Sequence, residues 1–441
     1  MKERNIFALL VFVAIVCCQL TPLAATAAED ADARMERIEA QLRALQAELA
    51  ALKAERAAEK AQAAREVPPV VDQKQLEELV NKTFEEKKDE FAKVPEWVER
   101  LKWSGDFRYR YENIHTEEGP GDRNRNRIRA RLRLDAKVND EWDAIFRLAT
   151  AEVDTDAGGI ARGSRSTNVT LDDEFRQKNL WLDWAYAAYH PESMPGLNVW
   201  LGKMGTPIYK VGKHQLIYDN DLAWEGGAVK YKMPLNDKQA LLLNWGGFYL
   251  EENDGADIPD ASLWTTQVAL EQKIDDMTLT GGVGYYHFGN VEFADLNGPG
   301  TSSDFDDTYN LVEIFGELGT SILDGELPVS VYASYVNNAG TNSDADTAWI
   351  VGAKLGKAKK RGSWEFGYNY RETEADAVSP VLSESDFVGG GTASSGHEFK
   401  AKYQLHKNVQ AALTYILAER DRSAGDDLDY DRLMADFIFK F

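Results

Sequence analysis

Between residues 127 and 138 the chain alternates charged and apolar side chains without a break. Ile128, Ala130, Leu132, Leu134, Ala136 and Val138 fall on one side; Arg127, Arg129, Arg131, Arg133, Asp135 and Lys137 fall on the other. A β-strand points successive side chains to opposite faces, so this segment has one oily wall and one charged wall. The same period recurs to the end of the chain. Phe107, Tyr109 and Tyr111 alternate with Arg108, Arg110 and Glu112, and Trp142, Ala144, Phe146 and Leu148 with Asp143 and Arg147. Leu180, Leu182, Trp184 and Tyr186 are read as one apolar face. Leu433, Ala435, Phe437, Phe439 and Phe441 oppose Arg432, Asp436 and Lys440.

About sixteen such segments are counted, from 103–114 to 429–441. Their connections alternate in length. Asn139-Asp140, Asp275-Asp276 and His406-Lys407-Asn408 are short, whereas 151–177, 204–223, 289–308 and 372–395 are long. A soluble sandwich has no reason to gather its long loops at one end; a membrane barrel has short turns on one side and long loops on the other. No stretch after the first segment approaches eighteen apolar residues, so a membrane could be crossed only by a closed barrel, which satisfies every backbone group internally. The expected fold is all-β: a transmembrane antiparallel β-barrel of about sixteen strands over 101–441, preceded by an N-terminal α-helical coiled coil.

The first 28 residues read as a secretory leader. Lys2 and Arg4 precede an apolar run over 6–20, and Ala25-Thr26-Ala27 offers small residues for cleavage. Both cysteines, Cys17 and Cys18, lie in this leader. Val16 is bulkier than a lipid-attachment site accepts, which disfavours lipidation at Cys17. Over 29–66, Met35, Ile38, Leu42, Leu45, Leu49 and Leu52 recur at alternating spacings of three and four, the seam of a left-handed coiled coil. A single solvated helix is the plainer reading. Pro68-Pro69 breaks it, and 67–100 is a linker with a second helix over 72–91.

The chain ends Phe437-Ile438-Phe439-Lys440-Phe441, a terminal aromatic after alternating apolar residues. This resembles the C-terminal signal that the barrel-assembly machinery reads. The opening strand, Leu101-Lys102-Trp103-Ser104-Gly105-Asp106-Phe107-Arg108-Tyr109-Arg110-Tyr111-Glu112, resembles the barrel start of the putative porin family of Gram-negative bacteria. Gly202-Lys203-Met204-Gly205-Thr206-Pro207 resembles that family's segment before an inward-folding loop. The resemblance spans roughly 101–441. It implies an outer-membrane porin, usually trimeric, that passes small hydrophilic solutes and ions by passive diffusion. Its partners would be outer-membrane lipid, lipopolysaccharide and the assembly machinery, with the coiled coil in the periplasm and peptidoglycan within reach. Two alternatives stand beside it: an envelope tether acting through the coiled coil, and a channel selective for anions or sugars.

The chemistry of a pore is its wall. Arg108, Arg110, Arg127, Arg129, Arg131, Arg133 and Arg147 are candidate pore-lining residues. With a hairpin tip near 120, Arg110 would lie near Arg131 and Arg108 near Arg133. A basic ladder would steer anions; alternatively the charges cancel against an acidic loop. The segment 205–223 is the candidate constriction loop, with Lys210, Lys213, Asp219 and Asp221, or else an ordinary outer loop. A net charge of -23 argues against nucleic-acid partners. No cofactor is expected beyond weakly held divalent cations at acidic outer loops containing Asp254, Asp257 and Asp260, Asp304, Asp306 and Asp307, or Asp426, Asp427 and Asp429. The six histidines are scattered, and Gly389-Gly390-Gly391 lacks the lysine and helix of a phosphate-binding loop, so the sequence offers no catalytic constellation.

Overall fold

The computed structural model describes residues 47, 51, 53, 54, 96–117, 122–155, 161–253, 258–291, 308–323, 325–421 and 427–441. The chain divides into two compact units, Met1–Lys93 and Val94–Phe441. In the first, Ala47, Ala51, Lys53 and Ala54 are helical. The leader, the heptad seam and the helix expected over 72–91 lie outside the described residues.

The second unit is a meander of antiparallel strands. These are β1 (Leu101–Thr116), β2 (Arg123–Lys137), β3 (Trp142–Thr150), β4 (Leu180–Tyr189), β5 (Leu197–Met204), β6 (Trp224–Asn236), β7 (Gln239–Glu251) and β8 (Ala261–Ile274). They continue as β9 (Met277–Gly289), β10 (Asn310–Ile322), β11 (Leu327–Asn338), β12 (Thr347–Gly356), β13 (Trp364–Thr373), β14 (Ser394–His406), β15 (Val409–Asp421) and β16 (Asp427–Lys440). Each pairs with the next, and β1 pairs with β16 from Asp106↔Lys440 to Thr116↔Tyr430, which closes the sheet into a sixteen-strand barrel. Among the described residues, the short strand Val169–Thr170 also lies against β2 above the end of β3, and Val153–Thr155 pairs with Ala161–Gly163 in a separate two-stranded sheet. Among the described residues no helix is long and apolar enough to cross a membrane.

The alternation sorts inside from outside. Phe107, Tyr109 and Tyr111 point outward and are exposed, while Arg108, Arg110 and Glu112 on the same strand are buried within. Around the circumference Val283 is 51% exposed and Ile314 58%, beside exposed Trp264, Leu270, Val351, Phe399, Leu413 and Phe437. A continuous apolar band of this kind is stable only against lipid.

Strand β4 corrects one expectation. Opposite Arg147 and Leu148 of β3 the register skips Asp183, so Trp184, Tyr186 and Ala188 turn inward while Leu180 and Leu182 face out. A β-bulge inserts one residue and flips every side chain beyond it. The apolar run over 180–186 is therefore two half-faces rather than one.

The C-terminal residue completes the seam. Phe441 N–H donates to the Gly105 carbonyl at 3.1 Å, and Gly105 N–H donates back to Phe441 at 2.9 Å. A Cβ on residue 105 would lie 2.5 Å from the Phe441 ring and 2.4 Å from the Arg131 carbonyl, so only glycine fits beneath that aromatic. A charge placed on the outer face should be expensive. Val283→Arg is expected to destabilise folding into phospholipid vesicles by about 2–4 kcal/mol, measured by urea titration. Thr278→Arg, on the inner face of the same strand, should cost less than half as much.

Candidate functional site

The lumen wall is built around the arginines of β1–β3. Strand β1 sets Arg110 opposite Arg127 and Arg108 opposite Arg129, rather than opposite Arg131 and Arg133. The hairpin is centred two residues earlier than a tip near 120 would place it. Because the slip is even, every arginine keeps the inner face. The next turn sets Arg133 opposite Arg147 and Lys137 opposite Asp143.

Facing guanidinium groups repel, and carboxylates are threaded between them. Asp106 accepts from Arg129 at 2.8 Å and from Arg131 at 2.7 Å. Asp436 takes Arg110 in a two-pronged bond of 2.7 and 3.0 Å. Glu112 is fully buried and gathers Arg432 at 3.0 Å, Arg125 at 2.5 Å and Arg127 at 3.6 Å. Arg133 pairs with Asp135, and Arg147 with Asp183 while stacking 3.2 Å above the Trp184 ring. Most of this neutralisation comes from the wall itself, with two carboxylates from connections, Asp386 and Glu152, added to it.

Three connections from the long-loop end fold inward. The first is 205–223, the segment expected to narrow the pore. Ile208, Val211, Leu216, Ile217 and Tyr218 are buried against inward residues of β6–β12, including Trp224, Leu263, Tyr286, Phe315 and Tyr332. Gly212 sits at φ +55° with its N–H donating to Glu317 at 2.9 Å; a Cβ there would lie 2.3 Å from the Tyr332 ring. Tyr209 exchanges two hydrogen bonds with Gln267, at 2.8 and 3.0 Å.

The four sequence-chosen residues of this loop separate. Lys210 is turned in and donates to the Tyr218 carbonyl at 2.9 Å, while Lys213 is exposed. Asp219 accepts from Ser385 N–H and Oγ, both at 2.9 Å, and so ties one loop to another. Asp221 is the residue whose charge reaches Arg129 and Arg147.

The second inserted connection is 374–393, within the long connection expected over 372–395 on the outer side. Ala377, Val378, Leu382, Phe387 and Val388 are buried inside the barrel. Asp386 crosses to Arg110 and Arg432, both at 2.9 Å, and Glu384 binds Arg371, whose guanidinium lies 3.6 Å over Phe387. The run Ala377-Val378-Ser379-Pro380-Val381-Leu382 is too apolar for an exposed loop, which was the available signal. The third is the tip 163–170, where Thr167 and Asn168 are each 3% exposed beside Arg108 and Arg127.

The loops titrate unlike free chains. Burial pushes the His214 imidazole down to about 3, helped by Lys210, Arg371 and Lys354. Burial likewise brings the Lys210 ammonium down to about 8. For Asp386, burial alone would raise the carboxyl; Arg432, Arg110 and Arg108 outweigh it and hold it well below the usual range. Asp219 moves up, first through burial and then through Asp221.

Outside the loops an open vestibule of about 1020 Å³ is lined by Trp181, Asp183, Tyr218, Asp221, Trp224, Phe248 and Thr167. Of the acidic rim, Asp260, Asp427 and Asp429 are described, and among the described residues no group of three metal-type ligands forms. The remaining rim aspartates lie outside the described residues.

A closed sixteen-strand barrel, oily outside and charged within, with loops folded into its lumen, is an outer-membrane channel. The sequence matches the family described as putative porin over residues 113–324 and 328–441, and the chain belongs to that family. The chain is similar in fold to OprB of Pseudomonas putida in its high-pH structure, at 11% identity and a TM-score of 0.53, covering 80% of this chain and 97% of that one. The outer-membrane channel DcaP of Acinetobacter baumannii aligns at 13% identity and 0.44, covering 77% and 97%. The trimer form of OmpT from Vibrio cholerae aligns at 11% and 0.42, covering 77% and 99%. No curated protein matches the chain.

Two outcomes are expected. Replacing Asp386 with Asn removes the charge that Arg110 and Arg432 share from the loop, while each keeps a wall carboxylate, at a cost of about 1.5–3 kcal/mol to the loop's seat; limited proteolysis should then cut within 374–393. His214 is neutral when inserted and regains its ordinary value near 6.5 when released. Release therefore takes up a proton, and the inserted loop loses stability as pH falls below 6.5 toward 3. Thermal unfolding of His214→Gln should fall less steeply than wild type between those limits.

Proposed function

We propose that this channel passes small hydrophilic solutes and ions passively and favours anions. The observation that carries the reading is the inventory of the inner wall. Among the described residues nine arginines of β1, β2, β3 and β16 meet seven carboxylates within 4 Å. The surplus is positive, and loop 374–393 reaches it through Asp386. In a low-dielectric barrel a small net charge produces a field that water screens poorly, so it biases which ions enter. The opposite wall is coated by the apolar face of 205–223, which leaves the arginine side as the polar path.

The seam at Met35, Ile38, Leu42, Leu45, Leu49 and Leu52 supports a trimer held together in the periplasm, with the same rod reaching toward peptidoglycan. Lipopolysaccharide is the natural partner of the acidic rim, through divalent cations. The aromatic C-terminal residues Phe437, Phe439 and Phe441 would be read by the assembly machinery. The barrel is the transporting unit, so deletion of 29–95 should leave its conductance in place.

Planar-bilayer reversal potentials in a potassium chloride gradient test the charge reading. Wild type should prefer chloride, and Arg131→Glu combined with Arg133→Glu should lower the chloride-to-potassium permeability ratio severalfold. An unchanged ratio in that double variant would remove the basic wall as the source of selectivity.

A further inference from the structure

Among the described residues, two of the wall arginines have no carboxylate within hydrogen-bond distance. Arg108 and Arg127 are 8% and 6% exposed, and among the described residues the Nε of each has no hydrogen-bond partner. The carboxylate nearest Arg108 is Asp436 at 3.9 Å, already taken by both prongs of Arg110. Those nearest Arg127 are Glu112 at 3.6 Å, held by Arg432 and Arg125, and Glu152 at 3.7 Å. A buried guanidinium is poorly compensated when its nearest carboxylates stand beyond hydrogen-bond distance and are engaged elsewhere, Glu152 by Thr170 among them, and here two such groups meet at one residue.

Both do reach a common acceptor, and it is neutral. Arg108 Nη2 donates to the Asn168 side-chain oxygen, and Arg127 Nη2 donates to the Asn168 main-chain oxygen at 3.1 Å. One residue thus offers two oxygens to two guanidiniums. Its amide is aimed by Ser166, whose Oγ accepts from Asn168 Nδ2 at 3.1 Å, so the oxygen and not the nitrogen faces Arg108. The tip is clipped to the wall by the short strand Val169–Thr170 and by Leu171 N–H donating to Asn126 at 2.8 Å. On its other side Gly163, Ser164, Arg165 and Thr167 border the open vestibule, so a solute arriving there meets the tip first.

We propose that Arg108 and Arg127 form a seat for a small oxyanion, a carboxylate or a phosphate, and that Asn168 is a tethered stand-in which the solute displaces. Two guanidiniums about a shared acceptor suit an ion with two oxygens, and a charged acceptor holds them more strongly than an amide does. The tether lowers the apparent affinity and keeps the arginines hydrogen-bonded between solutes. This inference rests on the anion-favouring channel proposed above and adds a saturable site to it.

The test is block of chloride current through the full-length protein in planar bilayers, with added succinate in one arm and inorganic phosphate in the other. Wild type should be blocked saturably in at least one arm, and the arm with the lower half-blocking concentration names the oxyanion. Asn168→Ala removes the competitor and should lower that concentration by about tenfold, the worth of one hydrogen bond to a charged group. Asn168→Asp, close in shape, installs a tethered anion and should raise it at least as much. Arg108→Gln should abolish saturation while the barrel still migrates as folded on unheated gels. The same half-blocking concentration in wild type and both Asn168 variants, or no saturable block in either arm, overturns the seat. Loss of chloride preference in wild type sinks the wider reading instead; chloride preference with unmoved block sinks only the seat.

Discussion

A peptide group in hydrocarbon has no water to bond, so the chain must satisfy every N–H and C=O with another part of itself. The pairing of β1 with β16 meets that demand, because it removes the last free edge of the sheet. Once the sheet is closed, the two-residue period has a physical meaning at every position. One side of each strand must be oily, and the other encloses a space that lipid cannot reach. The arginine rows of β1–β3 are tolerable only under this condition: on the outer face each would be expelled, and on the inner face each finds water or a carboxylate.

The lumen carries out two different kinds of packing. Against β6–β12 the loop 205–223 builds a small hydrophobic core inside the barrel, around Tyr218, Tyr286 and Phe315. The loop 374–393 adds Ala377, Val378 and Leu382 to that core and packs Phe387 and Val388 against Ile416 and Tyr430, and of the two loops it alone also bonds to wall arginines, through Asp386 and Glu384. The first contact is strong and nondirectional; the second is directional and depends on protonation and counter-ions. Asp219, accepting from Ser385, joins the two loops, so the inserted segments share an apolar core and are tied to the wall by charge on one side.

Much of this was legible in the residues because the strand signal is local. The segments expected at 103–114 and 429–441 correspond to Leu101–Thr116 and Asp427–Lys440. The inward turn of 205–223 was also signalled, by its mixture of apolar and charged residues after Gly202. What escaped were features decided between strands rather than along them. The bulge at Asp183–Trp184 is invisible to a pattern that allows either face to be aromatic. The centre of the first hairpin depends on a tip whose geometry the alternation does not encode. The bond from Asp386 to Arg110 joins residues far apart in sequence, and no local pattern reports such a contact. The seat at Asn168 escaped for the same reason.

The most direct test of the account is water access along one strand. In a variant lacking Cys17 and Cys18, single cysteines at Arg131, Arg133 and Asp135, and at Leu132, Leu134 and Ala136, can be challenged in liposomes with a membrane-impermeant thiol reagent. The first set should react and the second should not, residue by residue in alternation. Equal labelling of both sets, or labelling only of Leu132, Leu134 and Ala136, would contradict a barrel whose charged side encloses the aqueous path.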